Sequence, residues 1–233
     1  MARTAAPDRV ATIVDAALGV FGRVGFARAQ MSDVAEAAGV SVGTLYNYVE
    51  GKDALLLLCA AYAFDPAEAT GEARPLAVSS RKTYITKLRR HLDGLAHLPA
   101  LDAALAARGA PQDVATECAT VIAELFDLVA RTRRGMDALE RSARDVPDVA
   151  ALFYGDVRLS LLRTLTEYVT RRARQGRIPV PVDAAITARF AVESVTWLAR
   201  HRHGDPDGHQ LDDDAVRIST VQLVTRAICG EAA

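Results

Sequence analysis

Apolar residues recur every three or four positions along most of this 233-residue chain, which is the spacing of one face of an α-helix. The first clear case runs from Asp8 to Val24, with a proline before it and a glycine after it. Its apolar stripe comprises Val10, Ile13, Ala17, Val20, Phe21 and Val24. Sustained alternation of apolar and polar residues, the signal of a half-buried strand, does not occur. The pattern therefore predicts an all-α protein with about nine or ten helices.

Proline and glycine divide the rest of the chain into helical segments. A helix is expected from Lys52 to Phe64, and the stretch from Asp65 to Ser80 is expected to be looser because it holds prolines and a glycine. Further helices are predicted at about 81–97, 101–108, 112–134, 148–175, 182–203 and 212–229. This organisation predicts an N-terminal domain of three helices over residues 1–52 and a larger helical bundle over residues 53–233.

Composition narrows the class of protein. Half of the residues are apolar and the formal net charge is −1, so the chain can bury a core and is not a strongly basic coat protein for nucleic acid. The three cysteines are far apart and form no CxxC pair, which is typical of buried thiols in a reduced cytoplasmic protein. The longest apolar run, residues 54–64, is much shorter than the roughly 20 residues of a membrane-spanning helix. We expect a cytoplasmic protein with no membrane partner.

Residues 32–49 are the stretch that bears most directly on function. They predict a helix at about 32–38, a tight turn, and a second helix at about 42–48. Gly39 suits a left-handed backbone in the turn, and Ser41 is a good N-cap for the second helix. The side chains expected to point inward are Val34, Ala35, Ala38, Val40, Leu45 and Val49. The arrangement is that of a helix-turn-helix.

The second helix of this pair presents aromatic and polar side chains to solvent. Those expected to face outward or along the rim are Val42, Gly43, Thr44, Tyr46, Asn47 and Tyr48. Hydroxyl groups can donate to phosphate oxygens and an amide can reach a base edge, so such a helix suits the major groove of DNA. Lys52 opens the next helix, where its ammonium and the positive helix end both favour a phosphate. A helix-turn-helix also occurs as simple packing in helical bundles, which keeps a protein without DNA-binding activity as the alternative.

The stretch from Ile13 to Leu56 resembles the DNA-binding domain of the TetR family of transcriptional regulators. The matching segments are Ile13-x-x-Ala16-Ala17-Leu18-x-x-Phe21, Gly25-Phe26, Asp33 to Ser41, Gly43 to Tyr48, and Lys52 to Leu55. The resemblance implies a homodimer on a double-stranded operator with two half-sites. It also implies DNA contacts by Val42, Gly43, Thr44, Tyr46, Asn47, Tyr48 and Lys52.

Three residues depart from the pattern of the family. Val42 stands where a long polar residue is frequent, so its contact with a base is limited to a thymine methyl group. Val49 replaces a common Phe, which is a conservative change in the core. Gln30 replaces a frequent Ser or Thr and is expected to cap the first short helix less well.

The helical bundle is expected to bind an effector and to form the dimer. The two predicted helices near 182–203 and 212–229 are more apolar than one buried face requires, and the resemblance implies that they pair with a second copy. A small-molecule pocket is expected between the middle helices. Its candidate lining residues are Phe126, Met136, Phe153, Tyr154 and Trp197, although such residues also serve as ordinary core. The arginine runs 131–134 and 171–174 are interpreted as solvated helix ends rather than as an anion site.

Signatures of catalysis are missing from the sequence, which contains no GxSxG, HExxH, P-loop or GxGxxG segment. The histidines and aspartates of residues 201–214 match no zinc or EF-hand spacing and are interpreted as a solvated loop. The sequence thus predicts no enzyme, no cofactor and no metal site. It predicts a ligand-responsive regulator, a repressor released from a palindromic operator by a small molecule. The alternatives are a helical small-molecule-binding protein without DNA-binding activity and a helical enzyme with an unrecognised site.

Overall fold

The computed structural model of this protein describes residues 7–64, 66–71, 74–93, 97–144 and 146–230. Within these ranges the regular structure is helical apart from one isolated β-bridge, so the predicted all-α fold is confirmed. Contacts divide the chain into two compact units. The first comprises Met1–Leu95 and Arg134–Val157, and the second comprises Ala96–Arg133 and Arg158–Ala233. The domain boundary after residue 52 stays a prediction.

Six helices are formed by the described residues in the N-terminal part of the first unit. They are α1 (Pro7–Val24), α2 (Met31–Ala37), α3 (Val42–Tyr46), α4 (Lys52–Phe64), α5 (Pro66–Gly71) and α6 (Arg81–Asp93). The predicted stripe of α1 is buried almost completely, and α1 packs against α2 and α4. Helix α4 is apolar around most of its circumference, with residues 54–61 all buried, which explains why it shows no single apolar stripe in the sequence.

Helix α5 lies in the stretch that the sequence predicts to be loose, and that prediction was wrong for residues 66–71. Pro66 occupies the first helical position, where its missing N–H would have had no partner within the helix in any case. The same reason places the beginning of two later helices on Pro99 and Pro147, residues that the sequence marks as breaks. Proline at these positions starts a helix instead of interrupting one.

The remaining segments are α7 (Pro99–Ala106), α8 (Val114–Ala143), α9 (Pro147–Ala150), a π-helical segment (Ala151–Arg158), α10 (Leu159–Arg174), α11 (Ala184–Ala199) and α12 (Asp213–Cys229). Helix α8 continues nine residues beyond its predicted end at 134, because a single glycine at position 135 costs only about 1 kcal/mol in a helix and does not stop it. The single helix predicted over 148–175 is instead three consecutive segments. No helix among the described residues is both long and apolar enough to span a bilayer.

The arginine run at the end of α10 is not a solvated helix end, which corrects the expectation from sequence. The Arg172 side chain is fully buried. Its guanidinium donates to both carboxylate oxygens of Glu117 at 2.7 and 2.9 Å and to the Ala104 carbonyl at 2.7 Å. Arg171 donates to the carbonyl oxygens of Leu105 and Ala107. The two arginines therefore bind the last carbonyls of α7, which have no partner within that helix.

The connection between α11 and α12 is organised around a second buried arginine. The Arg202 guanidinium donates to the carbonyls of Leu198 at 2.7 Å and Leu211 at 3.1 Å, and it forms an ion pair with Asp213. Gly208 packs against the Arg202 backbone. The connection is not a plain solvated loop, because it forms two short 3₁₀-helices, His201–Gly204 and Gly208–Gln210, and is ordered by internal hydrogen bonds. Within the described residues no cluster of His, Cys, Asp or Glu side chains could hold a metal ion, and the His209 side chain lies outside them.

Candidate DNA-binding site

A small apolar core inside the first unit supports helices α2 and α3. The Phe21 ring of α1 contacts the Phe26 ring at a centroid distance of 5.6 Å. Val34 of α2, Leu45 of α3 and the following Val49 are buried with at most 1% of their surface exposed. The inward residues expected from the sequence thus hold the helix-turn-helix, and Val40 is half-buried at its edge.

The turn between α2 and α3 has the geometry that its sequence predicts. Gly39 adopts a φ of +64°, in the left-handed region that disfavours residues with a Cβ atom. The Ser41 hydroxyl accepts a hydrogen bond from the Thr44 amide at 3.0 Å, which makes it the N-cap of α3. At the start of α2 the Asp33 carboxylate accepts from the Gln30 amide at 3.0 Å. Asp33 therefore compensates in part for a position where Gln replaces a better capping residue.

Helix α3 exposes one face to solvent. Val42 and Tyr46 keep 41% and 45% of their surfaces exposed, and Gly43 and Asn47 are exposed as well. The Thr44 side chain is half-buried, and its hydroxyl lies 2.8 Å from the Ser41 hydroxyl. Of the residues expected to face outward, Val42, Gly43, Tyr46 and Asn47 are therefore exposed, and Thr44 and Tyr48 are half-buried.

Helix α3 is shorter than predicted, because it ends at Tyr46 instead of residue 48. The Asn47 amide donates to the Thr44 carbonyl at 3.1 Å and the Tyr48 amide donates to the Leu45 carbonyl at 2.9 Å. Both bonds span three residues, so the α-helix ends in a tighter turn of the 3₁₀ type. Tyr48 consequently belongs to the turn that leads into α4, where its side chain is half-buried.

A second segment holds this turn, and sequence reasoning missed it. The Leu76 amide donates to the Tyr48 carbonyl at 2.8 Å, and the Glu50 amide donates to the Leu76 carbonyl at 3.0 Å. These two bonds form the parallel bridge between Val49 and Leu76. The only signal in the sequence is the spacing of Leu76 and Val78, which is too short to predict pairing. The bridge fixes the backbone directly after α3.

Lys52 is also bound inside the first unit. Its ammonium donates to the carbonyls of Ala27 and Ala29, both at 3.1 Å, and lies 4.7 Å from the centroid of the Phe26 ring. These contacts tie the start of α4 to the connection between α1 and α2. Two of the three ammonium hydrogens are used in this way, so a phosphate contact by Lys52 would have to use the remaining one.

The five candidate ligand residues fall into different units. Phe153 and Tyr154 lie in the first unit, with ring centroids 5.0 Å apart, and half-buried Met136 is in the same unit. Phe126 and Trp197 lie in the second. Phe126 and Phe153 are buried, whereas Tyr154 and Trp197 keep 40% and 44% of their surfaces exposed. Their role in ligand binding stays a prediction.

Comparison with known proteins bears directly on the helix-turn-helix. The sequence model of bacterial regulatory proteins of the tetR family matches residues 13–59. The matched stretch contains α2, α3, the turn between them and every residue of the predicted DNA-contact set. Residues 13–59 of this chain are therefore similar to the tetR family. The helix-turn-helix lies entirely within this matched region.

Several solved structures, among them a TetR-family transcriptional regulator, have a similar fold at low sequence identity. PfmR from Thermus thermophilus gives a TM-score of 0.58 at 18% identity, over 92% of this chain and 97% of that chain. FadR from Bacillus subtilis, solved with stearoyl-CoA, gives 0.50 at 16% identity, over 93% and 98%. AibR, solved with isovaleryl coenzyme A and operator DNA, gives 0.54 at 18% identity, over 92% and 97%. No curated protein matches the chain in sequence.

Proposed function

We propose that this protein is a ligand-responsive repressor of the TetR family that binds a palindromic operator as a homodimer and is released from it by a small molecule. The observation that carries the proposal is the exposed face of α3. A helix held by a buried leucine and capped by Ser41 presents an aromatic ring, an amide and a residue without a side chain on one surface. That combination suits insertion into a major groove.

A role in DNA binding can be proposed for each residue of the predicted contact set. Tyr46, Tyr48 and Thr44 donate their hydroxyl hydrogens to phosphate oxygens, and Asn47 reaches a phosphate or a base edge. Exposed Val42 contacts a thymine methyl group. The remaining members of the set are Gly43, which lets the backbone approach the duplex, and Lys52, which positions the start of α2 and offers its last hydrogen to a phosphate.

The proposed dimer uses α11 and α12. Large apolar side chains stay exposed along one stripe of α11, where they recur at the spacing of one helix face. They are Val182, two residues before the helix, and Ile186, Phe190 and Trp197 within it, with exposures of 109%, 68%, 51% and 44%. Helix α12 adds Ile218 and Leu223, which are 54% and 62% exposed. Such a surface is unfavourable in water, and a second copy of the same chain would cover it.

Acyl-CoA thioesters are the effector class that we propose to test first. Two structures of similar fold, FadR from Bacillus subtilis and AibR, were solved with stearoyl-CoA and isovaleryl coenzyme A. An effector releases the operator only if it binds the DNA-free conformation more tightly than the DNA-bound one. The measurement is therefore the loss of operator binding on addition of a short-chain and a long-chain acyl-CoA.

Selection of binding sites from a random duplex library with purified protein tests the DNA-binding proposal. Tyr46→Ala is run in parallel at the same salt concentration. The matched control is Leu159→Ala, which removes a side chain of similar exposure from the first residue of α10. We expect a pseudo-palindrome from the wild type and the control and none from Tyr46→Ala. If the wild type enriches no site even at low salt, the proposal is wrong and a ligand-binding role without DNA takes its place.

A further inference from the structure

Two of the three cysteines, distant in sequence, meet inside the second unit. Cys118 lies in the second turn of α8 and is fully buried, whereas Cys229 is the last residue of α12 and is half-buried. The Cys229 sulfur lies 4.0 Å from the carbonyl oxygen of Val114, one helical turn before Cys118. The Cys118 and Cys229 side chains are close enough to affect each other's pKa. Both are free thiols in this structure.

A surface groove leads to this pair. It has a volume of about 710 Å³, and Cys229 forms part of its wall. Small side chains of α8 also line the groove, among them Ala115 and Ala119, which lie on either side of Cys118 in the sequence. Cys229 therefore borders a groove that is open to solvent, whereas Cys118 is fully buried.

The interaction between the two side chains makes the thiols chemically different. The neighbouring Cys118 side chain holds the pKa of Cys229 below its usual range. The same interaction, together with burial, raises the pKa of Cys118. Since the thiolate is the nucleophilic form, Cys229 is the more reactive sulfur and it is also the accessible one.

We propose that Cys229 and Cys118 form a reversible disulfide when the protein meets a peroxide. The Cys229 thiolate attacks one peroxide oxygen, so that an S–O bond forms, the O–O bond breaks, and the other oxygen leaves as an alcohol or water after taking up a proton. The Cys118 sulfur then attacks the resulting sulfenic acid. The S–S bond forms, the S–O bond breaks, and hydroxide leaves as water with the Cys118 proton. Two thiols lose two electrons in total, and one peroxide is reduced.

The third cysteine provides an internal control. Cys59 lies in the middle of α4 and is 1% exposed, and burial raises its pKa above the usual range. It has the same functional group without the groove, so it should stay reduced under conditions that oxidise the pair.

Mass spectrometry of the full-length protein tests this proposal. After brief treatment with hydrogen peroxide we expect a loss of about 2 Da and a peptide that joins Cys118 to Cys229, both reversed by dithiothreitol. Cys59→Ser should behave like the wild type. Cys118→Ser should instead accumulate a sulfenic acid on Cys229 that reacts with dimedone.

The disulfide should also raise the Tm by roughly 5 °C or more, because it closes a long loop in the unfolded chain. Cys229→Ser should show neither the cross-linked peptide nor the rise in Tm. This second variant keeps the proposal testable if Cys118→Ser folds poorly. Oxidation only of Cys59, or disulfides only between molecules, would overturn the proposal. Because the readout is a mass and a melting temperature, the result does not depend on whether the protein binds an operator.

Discussion

At the scale of single residues, a substitution of Gly43 is expected to weaken DNA binding without lowering the stability of the fold. A Cβ atom at this position would meet only the Ser41 hydroxyl oxygen, at 3.9 Å, so the packing of the chain does not require a glycine. Gly43→Ala should therefore keep or raise stability, by up to about 1 kcal/mol, because alanine favours a helix. It should weaken operator binding, because the methyl group enters the space proposed for DNA.

Thermal unfolding and operator titration of the same Gly43→Ala preparation check this prediction. Gly109→Ala is the matched control, since its Cβ atom also meets nothing within 4 Å and it lies outside the helix-turn-helix. Loss of stability in parallel with loss of binding would show that Gly43 acts through the fold instead.

Arg172 is the residue whose loss should cost the second unit most. Arg172→Met leaves the largely buried Glu117 carboxylate without its partner and frees the Ala104 carbonyl. Removing one member of a buried ion pair typically costs about 3–5 kcal/mol, and we expect a loss in the free energy of unfolding of that order. Adding Glu117→Gln to the same chain should recover part of it, since the unpaired charge is then gone.

Chemical denaturation measures the effect of Arg172→Met, with Arg174→Met as the control. Arg174 lies on the same helix, two residues away, but is exposed. Equal destabilisation by both substitutions would mean that the buried ion pair contributes nothing specific.

At the scale of secondary-structure elements, the bridge at Leu76 sets the position of α3. Leu76→Pro removes the amide hydrogen that the Tyr48 carbonyl accepts, whereas Leu76→Ala keeps this hydrogen and loses only buried apolar surface. One hydrogen bond contributes about 0.5–1.5 kcal/mol, so Leu76→Pro should weaken operator binding by up to roughly tenfold while the helical content is kept. Fluorescence anisotropy and circular dichroism give the two readouts. An equal loss of affinity in Leu76→Ala would assign the effect to packing instead of the bridge.

The sequence predicts elements well where the signal is local and poorly where a partner is distant. Periodicity and caps identify α1, the turn at Gly39 and the N-cap at Ser41, because each depends on neighbours within a few residues. Arg172 looks like any other arginine of a basic run until its partner Glu117, 55 residues away, is known. The bridge at Leu76 and the contact between the two cysteines could not be predicted for the same reason, because a single sequence does not show which distant positions lie together.

At the scale of the whole molecule, the stripe on α11 predicts a dimer. Phe190→Glu places a charge in the middle of this surface and should shift the protein towards monomer, because burying an unpaired carboxylate is costly. Operator binding should fall with it, since two linked half-site contacts bind far more tightly than one. Sedimentation velocity gives the oligomeric state, and Leu159→Glu, at a residue of nearly equal exposure, is the control. A dimer that persists in Phe190→Glu would place the interface elsewhere.

The close approach at Gly208 has an evolutionary consequence. A Cβ atom at this position would lie 2.6 Å from the Arg202 carbonyl oxygen, a distance at which the backbone itself must move. The loop that joins the two helices of the proposed dimer surface therefore accepts one amino acid there. Among homologous proteins that keep this loop, position 208 should be invariant even where the apolar residues of α11 and α12 drift. In homologues with another residue at position 208, α11 and α12 should meet the partner subunit at a different angle.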